Sequence, residues 1–178
     1  MRYINKFFIL TLSAVLSACS ANRQPVRPEI VPAVEVKKPV THSLGIIGES
    51  EPIYFMPMTM PFQARIDTGA EMSSIDAKNI KKFERDGEKW VSFDLVNRKN
   101  GERHHFEKKI KKIVDIKRIN EHEKRYAVEM DVKFGKEVIT GVRFTLADRE
   151  KFEYQALIGR NILTGRAIVD TALSNTLN

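Results

Sequence analysis

The stretch Phe62-Gln63-Ala64-Arg65-Ile66-Asp67-Thr68-Gly69-Ala70 decides how this 178-residue chain is organised. Apolar side chains alternate along it up to Ile66, which is the pattern of a β-strand, and Gly69 then predicts a turn. Asp67 therefore stands where a strand end presents a carboxylate to a cleft. A later stretch, Ala156-Leu157-Ile158-Gly159-Arg160-Asn161, predicts a buried strand that is closed by a glycine.

Short strands dominate the rest of the predicted fold. Alternation is clearest from Tyr126 to Phe134, and Gly135 leads into a second alternating stretch, so the sequence predicts a long hairpin. Strands are predicted at 44–47, 53–56, 62–66, 90–96, 110–116, 125–134 and 136–146, and short helices at 77–84 and 160–164. Many strands joined by short turns predict an all-β fold, a closed antiparallel barrel with one or two short helices.

The first 18 residues have the composition of an export signal. A basic start with Arg2 and Lys6 precedes an apolar stretch and small residues. Leu16-Ser17-Ala18-Cys19 resembles the lipobox of bacterial lipoproteins, which implies cleavage before Cys19, its acylation, and attachment to a membrane. Ser20 in the next position resembles the sorting signal for the outer membrane, facing the periplasm or the surface. The alternative is an ordinary secreted protein with a chance cysteine.

Residues 19–42 read as a tether. They hold four of the seven prolines and show no apolar periodicity. Proline-rich chains extend by about 3.1 Å per residue, so some twenty residues would reach on the order of 60 Å from a bilayer. The remaining residues, 43–178, have the length of one domain.

Charge and cysteine content exclude several classes of protein. The chain has a net charge of +7 and a single cysteine, Cys19, so it forms no intrachain disulfide and no cysteine-based metal cluster. Acidic residues interrupt each basic cluster, and no stacking pattern accompanies the lysines. A nucleic-acid partner is therefore not predicted.

The two opening stretches resemble the retroviral pepsin family, in particular through the string from Ile158 to Leu163. A closer similarity is to a group of bacterial retropepsin-like aspartic peptidases. That group is also named ATP-dependent zinc proteases and is associated with RimK-type glutamate ligases. It shares Asp86-Gly87 before Trp90, Thr145-Leu146 before Asp148-Arg149, and Val169-Asp170 near the end.

This resemblance implies a role for several residues. Asp67 is the implied catalytic acid, and an ion pair between Glu71 and Arg160 is implied to lock its loop. The implied loop-supporting residues are Thr68, Gly69, Ala70, Glu71 and Arg160, and the implied cleft candidates are Leu157, Ile158 and Gly159. The implied fold is the retropepsin-like barrel.

Only one Asp-Thr-Gly is present, whereas peptide hydrolysis by paired carboxylates requires two acids. A two-fold homodimer would bring one Asp67 from each chain to the axis. Asp170 is the nearest mimic of a second acid within the chain. Ala172 stands in the place of its glycine, so a plain terminal strand is the favoured interpretation there.

No cofactor or metal is predicted. The sequence lacks a phosphate-binding Gly-x-x-x-x-Gly-Lys-Ser/Thr and a His-Glu-x-x-His. The adjacent His104 and His105 would point to opposite faces of a strand. The alternating methionines at 56–60 suit either copper or apolar packing, and packing is favoured.

The sequence thus predicts a lipid-anchored envelope aspartic endopeptidase. Its substrate would be a peptide or protein, hydrolysed by a water that paired Asp67 carboxylates activate. The alternative is a non-catalytic binding module or adaptor that keeps the barrel and holds a partner at the cell envelope. A turn at 97–102 is either a flap that covers the substrate or a surface hairpin.

Overall fold

The computed structural model describes residues 41–117 and 122–177. The expected signal peptide, the expected lipidation site Cys19 and nearly all of the expected tether lie outside these residues. Residues Lys38–Asn178 form one compact unit. The unit contains a single apolar core, so it has the features of a domain that folds alone. None of the described helices is long and apolar enough to cross a membrane.

Strands joined by tight turns make up most of the described chain. They are β1 (Gly45–Ile47), β2 (Ser50–Phe55), β3 (Phe62–Ile66), β4 (Ser73–Asp76), β5 (Lys78–Arg85), β6 (Glu88–Val96), β7 (Arg103–Lys109), β8 (Lys112–Lys117), β9 (His122–Phe134), β10 (Glu137–Ala147), β11 (Ala156–Ile158) and β12 (Ala167–Val169). The short helix α1 covers Arg160–Leu163. Each strand predicted from alternation is present within three residues of its expected ends.

Six strands close into a barrel in the order β10-β4-β11-β3-β2-β9, and the β9–β10 hairpin completes the ring. The predicted all-β, retropepsin-like barrel is confirmed. Two of its pairings, β4 with β10 and β3 with β11, are parallel rather than antiparallel. Because β11 and β3 run side by side, the two stretches that the sequence singles out end at the same edge of the barrel. Strand β8 extends the sheet beside the first half of β9.

Aromatic and branched side chains fill the barrel. Phe55 contacts Phe62 and Phe144 edge to face, with ring centroids 5.4 and 5.0 Å apart. Alternate residues of β9, among them Val132 and Phe134, are completely buried. Each such side chain contributes about 1.5–3 kcal/mol through removal of apolar surface from water. The core holds the strand ends in place and thereby the loops that they carry.

A separate three-stranded sheet, β5-β6-β7, packs against the barrel. Its inner face buries Val91, Phe93 and Leu95 in the common core. The prediction of a helix at 77–84 is wrong, because Lys78–Arg85 forms strand β5. Antiparallel pairing with β6 outweighs the helix propensity of this lysine-rich stretch.

Candidate active site

Asp67 stands at the end of β3, where the chain leaves the barrel. Its N–H donates to the carbonyl of Ile158 at 2.9 Å, which joins the two stretches that resemble retropepsins. Its Oδ1 accepts from the N–H groups of Gly69 at 2.9 Å and Ala70 at 3.1 Å. Its Oδ2 accepts no hydrogen bond from any residue that the structure describes. The half-buried carboxylate therefore keeps one oxygen available for chemistry.

The loop after Asp67 rests on the start of α1. The N–H of Arg160 donates to the carbonyl of Ala70 at 2.8 Å, and the N–H of Asn161 donates to the carbonyl of Glu71 at 3.1 Å. Gly159 is needed here because a Cβ would lie 2.8 Å from the carbonyl oxygen of Ala70. The glycine thus lets two backbone segments approach closely.

Arg160 supports the loop, but through the backbone. Its Nη1 donates to the carbonyls of Thr68 at 3.1 Å and Gly69 at 2.7 Å. The ion pair predicted between Glu71 and Arg160 is wrong, since no such pair forms between these two described side chains. Nη1 binds two loop carbonyls instead of a carboxylate, and the Glu71 side chain stays exposed beside the loop.

Ser73 and Asn161 hold the same loop through side-chain hydrogen bonds, and this pair was not predicted from the sequence. Asn161 Oδ1 accepts from both the N–H and the Oγ of Ser73, at 2.9 and 2.8 Å. Ser73 Oγ in turn accepts from the N–H of Gly159 at 3.0 Å. Asn161 Nδ2 donates to the carbonyl of Arg143 at 2.8 Å. Asn161 belongs to the quoted Gly-Arg-Asn string, whereas Ser73 has no motif that marks it.

A cavity of about 330 Å³ opens beside the loop, between it and the β8–β9 hairpin. Its lining residues are Ala70, Glu71, Met72, Ser74, Lys112, Val114, Ile116, Arg125, Thr145, Arg149 and Leu157. Of the three cleft candidates only Leu157 lines it. Ile158 is fully buried in the core, and Gly159 lies beneath Ala70, so both support the loop instead.

Three cationic side chains line this cavity, against one acid, Glu71. Arg149 is largely buried, and its Nη1 and Nε donate to Ser74 Oγ at 3.2 Å and to the carbonyl of Tyr154 at 3.0 Å. Burial, and then the positive charge of Arg125, lower the pKa of Arg149. Arg125 pairs with Glu123 through two bonds of 2.7 Å. Lys112 adds a third cation at the mouth. An anionic group entering the cavity would relieve the repulsion between the arginines.

A second, more open cavity of about 510 Å³ lies on the other side of Glu71 and Met72. Arg143, Arg160 and Arg166 line it, together with the bulge in β10 around Gly141. The strand that follows the loop is therefore flanked by basic side chains on both sides. Apart from Arg160, these arginines were not predicted as site residues, because they come from distant parts of the chain.

The turn at 97–102 is a surface hairpin fastened to the barrel. Arg98 donates to Asp76 Oδ2 at 2.7 Å and to the carbonyl of Arg149 at 2.6 Å. Glu102 accepts from the N–H groups of Thr59 at 2.8 Å and Met60 at 3.0 Å. These hydrogen bonds hold the turn against the barrel. The cavity beside the Asp67 loop is bordered instead by residues of β8 and β9.

Metal-binding chemistry finds little support in the described residues. No group of three or more His, Cys, Asp and Glu side chains in that part of the chain converges on a metal position. His105 instead contacts Asp94, with Nδ1 2.8 Å from Oδ1. Met58, in the middle of the methionine series, is buried in the core. Apolar packing accounts for Met58, while Met56 is exposed.

Comparison with known proteins relates this site to a family. Residues 46–177 match the family model of the RimB-like retropepsin-like aspartic endopeptidases. Proteins named probable alpha-L-glutamate ligase are similar, from Shewanella pealeana and Shewanella halifaxensis (each 37% identical over 133 residues, 72% of this chain) and from Desulfotalea psychrophila (35% over 137 residues, 74%). The matched region spans only 29% of each of these relatives.

A solved structure is similar as well. The crystal structure of Lpg0085, a protein of unknown function from Legionella pneumophila, superposes with a TM-score of 0.64 at 30% identity. The similarity covers 75% of this chain and 98% of that one. Fold, motif order and family model agree. The chain belongs to the RimB-like family of retropepsin-like aspartic endopeptidases.

Proposed function

We propose that this protein is a lipid-anchored aspartic endopeptidase of the bacterial cell envelope. The observation that carries the proposal is the state of Asp67. Two backbone N–H groups orient one of its oxygens, and the other accepts nothing from the described chain. A carboxylate with one oxygen held by hydrogen bonds and the other oxygen free is better suited to act as a general base than to form a structural ion pair.

The reaction needs a second carboxylate, which a second copy of the chain would supply. Two carboxyl groups that meet at a two-fold axis cannot both ionise, so they share one proton, as is established for aspartic proteases. The ionised Asp67 removes a proton from a water as the water attacks the peptide carbonyl. The protonated Asp67 of the other copy donates to the carbonyl oxygen, which gives a neutral gem-diol. As this intermediate collapses, the carboxyl that took the proton of the water gives it to the departing nitrogen, the other carboxylate takes a proton back from a gem-diol hydroxyl, and the amine leaves with one proton again shared by the pair.

We further propose that the substrates are acidic peptides, with glutamyl residues foremost. The cavity beside the catalytic loop offers Arg149 and Lys112, and Arg125 would exchange its partner Glu123 for a substrate carboxylate, a group that arginine binds through parallel hydrogen bonds. The cavity beyond Glu71 adds three more arginines. The name alpha-L-glutamate ligase, carried by relatives that contain a similar region, favours the same class of substrate.

The location is proposed from the sequence alone. Residues 1–18 would direct export, acylated Cys19 would anchor the chain in the outer membrane, and residues 19–42 would tether the catalytic domain. Labelling of cells with a radioactive fatty acid tests this directly. The wild-type chain should incorporate label and Cys19→Ser should not, and label retained by the variant would refute the anchor.

Cleavage of matched peptides tests the enzymatic proposal. The domain 38–178 would be incubated with peptides rich in glutamate and with the same peptides carrying glutamine instead, over a range of pH. Cleavage of the glutamate peptides is expected, and Asp67→Asn should abolish it. Arg125→Gln should raise KM for the glutamate peptides and leave KM for the glutamine peptides nearly unchanged.

Two controls separate the possible failures. Sedimentation at the protein concentration of the assay should detect a dimer, and an active monomer would refute the shared site. Binding of glutamate peptides without cleavage, at every pH and in the dimer, would favour the non-catalytic binding module. Cleavage of both peptide sets at equal rates would retain the peptidase and refute the acidic specificity.

A further inference from the structure

Arg149 is a buried cation without a carboxylate partner. It lies two residues after β10, and only 8% of its surface is exposed. Its Nε and Nη1 donate to the carbonyl of Tyr154 and to Ser74 Oγ, which are both neutral. Nη2 donates to no acceptor in the described chain, and no acidic side chain within that part forms an ion pair with the guanidinium. A buried charge that lacks an opposite charge is costly, so this arginine is suited to bind an anion that enters the cavity.

Asp76 and Arg98 hold the backbone of Arg149. The N–H of Arg149 donates to Asp76 Oδ1 at 2.8 Å, and its carbonyl accepts from Arg98 Nη2 at 2.6 Å. The same Nη2 donates to Asp76 Oδ2 at 2.7 Å. Asp76 is buried, and these bonds occupy both of its oxygens. The carboxylate therefore fixes the start of the 149–155 segment without pairing with the Arg149 guanidinium.

Arg98 also fixes the aromatic ring that lies against the Arg149 side chain. The guanidinium carbon of Arg149 is 4.7 Å from the centroid of the Phe152 ring. Arg98 Nη1 donates to the carbonyl of Phe152 at 2.8 Å, and the Arg98 N–H donates to Gln155 Oε1 at 2.8 Å. One arginine of the β6–β7 turn thus contacts the start, the middle and the end of the segment that carries Arg149.

We propose that Arg98 and Asp76 are positioning residues for substrate specificity. They hold the Arg149 guanidinium in the wall of the cavity beside the catalytic loop, where it binds a substrate carboxylate. The inference rests on the acidic specificity proposed above. The turn at 97–102 then acts on substrate through Arg149 and not by covering it. A planar guanidinium suits this role, because it donates to one carboxylate and two carbonyls at fixed angles.

Binding of matched peptides to an inactive domain tests the proposal. The domain 38–178 carrying Asp67→Asn would be titrated by calorimetry with a glutamate peptide and with the same peptide carrying glutamine. Arg98→Gln should weaken binding of the glutamate peptide about fivefold and leave that of the glutamine peptide within about twofold. Arg98→Lys should recover part of the loss, since lysine keeps the charge but lacks the planar fork. Asp76→Asn added to Arg98→Gln should cause little further loss, because the two residues act through one contact.

Arg85→Gln is the matched control. Arg85 pairs with Glu107 at 2.6 Å, and its side chain is 43% exposed, close to the 36% of Arg98. It lines no part of the cavity beside the catalytic loop. The control should therefore bind both peptides as the parent domain does. Thermal melting of each variant verifies that the compared proteins are folded.

A second measurement reads the position of Arg149 without any peptide. Because Nε donates to the carbonyl of Tyr154, its proton should exchange slowly with water in nuclear magnetic resonance spectra. Arg98→Gln should raise that exchange rate at least about tenfold, and Arg85→Gln should not.

The two measurements separate the possible failures. A parent domain that binds both peptides equally would refute the acidic specificity proposed above, and the exchange of the Arg149 Nε proton would still decide whether Arg98 positions that side chain. Unchanged exchange in Arg98→Gln would overturn the inference. Equal weakening of both peptides in folded Arg98→Gln would overturn it too, because a general loosening of the cavity would then explain the effect.

Discussion

Asp67 in the catalytic loop and Asp94 in the three-stranded sheet are both carboxylates on strands, but the protein surrounds them differently. Asp67 is half-buried and receives two backbone N–H groups on one oxygen. Asp94 is almost completely buried. It accepts from Asn79 Nδ2 at 2.6 Å and from the guanidinium of Arg103, and it lies 2.8 Å from His105 Nδ1.

The difference separates a structural acid from a reactive one. The hydrogen bond from Asn79, assisted by Arg103 and His105, holds the pKa of Asp94 well below its usual range, although burial opposes the shift. Such a carboxylate keeps its charge at any pH near neutrality and has no oxygen to offer a substrate. Asp67 lacks such side-chain partners, and its Oδ2 accepts no hydrogen bond from the described residues.

The largest expected effect is on cleavage. Asp67→Asn removes the general base and should lower kcat for a glutamate peptide by at least about 10³-fold. Asp94→Asn should leave kcat within about threefold once the folded fraction is taken into account, since it touches no substrate. Initial rates for the two variants beside the wild type measure the contrast. If Asp94→Asn abolishes cleavage in folded protein, the division of roles is wrong.

The second expected effect is on stability, and here Asp94→Asn should have the larger effect and Asp67→Asn the smaller. Asp94→Asn should lower the free energy of unfolding by about 2–3 kcal/mol, because Arg103 loses its charged partner and Asn79 loses a charged acceptor. Asp67→Asn should change it by less than about 0.5 kcal/mol. Urea denaturation followed by circular dichroism measures both. A larger loss in Asp67→Asn would mean that its loop holds the fold together.

A third prediction tests the support beneath the loop. Gly159→Ala places a methyl group 2.8 Å from the Ala70 carbonyl oxygen and should cost about 2 kcal/mol of stability. It should also lower kcat, since the loop must move to relieve the contact. Thr164→Ala, in an exposed position just after α1, serves as the control. An active and fully stable Gly159→Ala would contradict the packing described.

The smallest expected effect is on how the free energy of unfolding falls at acidic pH. The folded-state pKa of Asp94 is lower than that of an unfolded aspartate, so its stabilising contribution is present above about pH 4 and is lost as the pH falls further. Between pH 5 and pH 3 this accounts for about 1 kcal/mol of the unfolding free energy. Asp94→Asn should therefore show a shallower acid slope in urea titrations. An unchanged slope would assign acid sensitivity to other carboxylates.

Strand positions and the two motifs could be predicted because alternation and glycine turns are local signals. The hairpin turning at Gly135 is an example, since alternate residues from Val128 to Phe134 and from Val142 to Leu146 are buried in the same core. Strand β5 could not be predicted, because Lys78–Arg85 lacks alternation and owes its shape to pairing with β6. The parallel pairing of β3 with β11 depends on a long-range contact that no local pattern encodes.

The site divides in the same way. The acid, its glycine turn and the Gly-Arg-Asn string follow from the sequence because each is a local motif, and at Gly159 a Cβ would also lie 2.8 Å from the Ala70 carbonyl oxygen. Folding of the barrel sets the other contacts: Arg160 binds backbone carbonyls instead of Glu71, and Arg125 and Arg149 meet beside the loop. Side-chain partners depend on distances between remote segments, and those distances exist only once the barrel has closed.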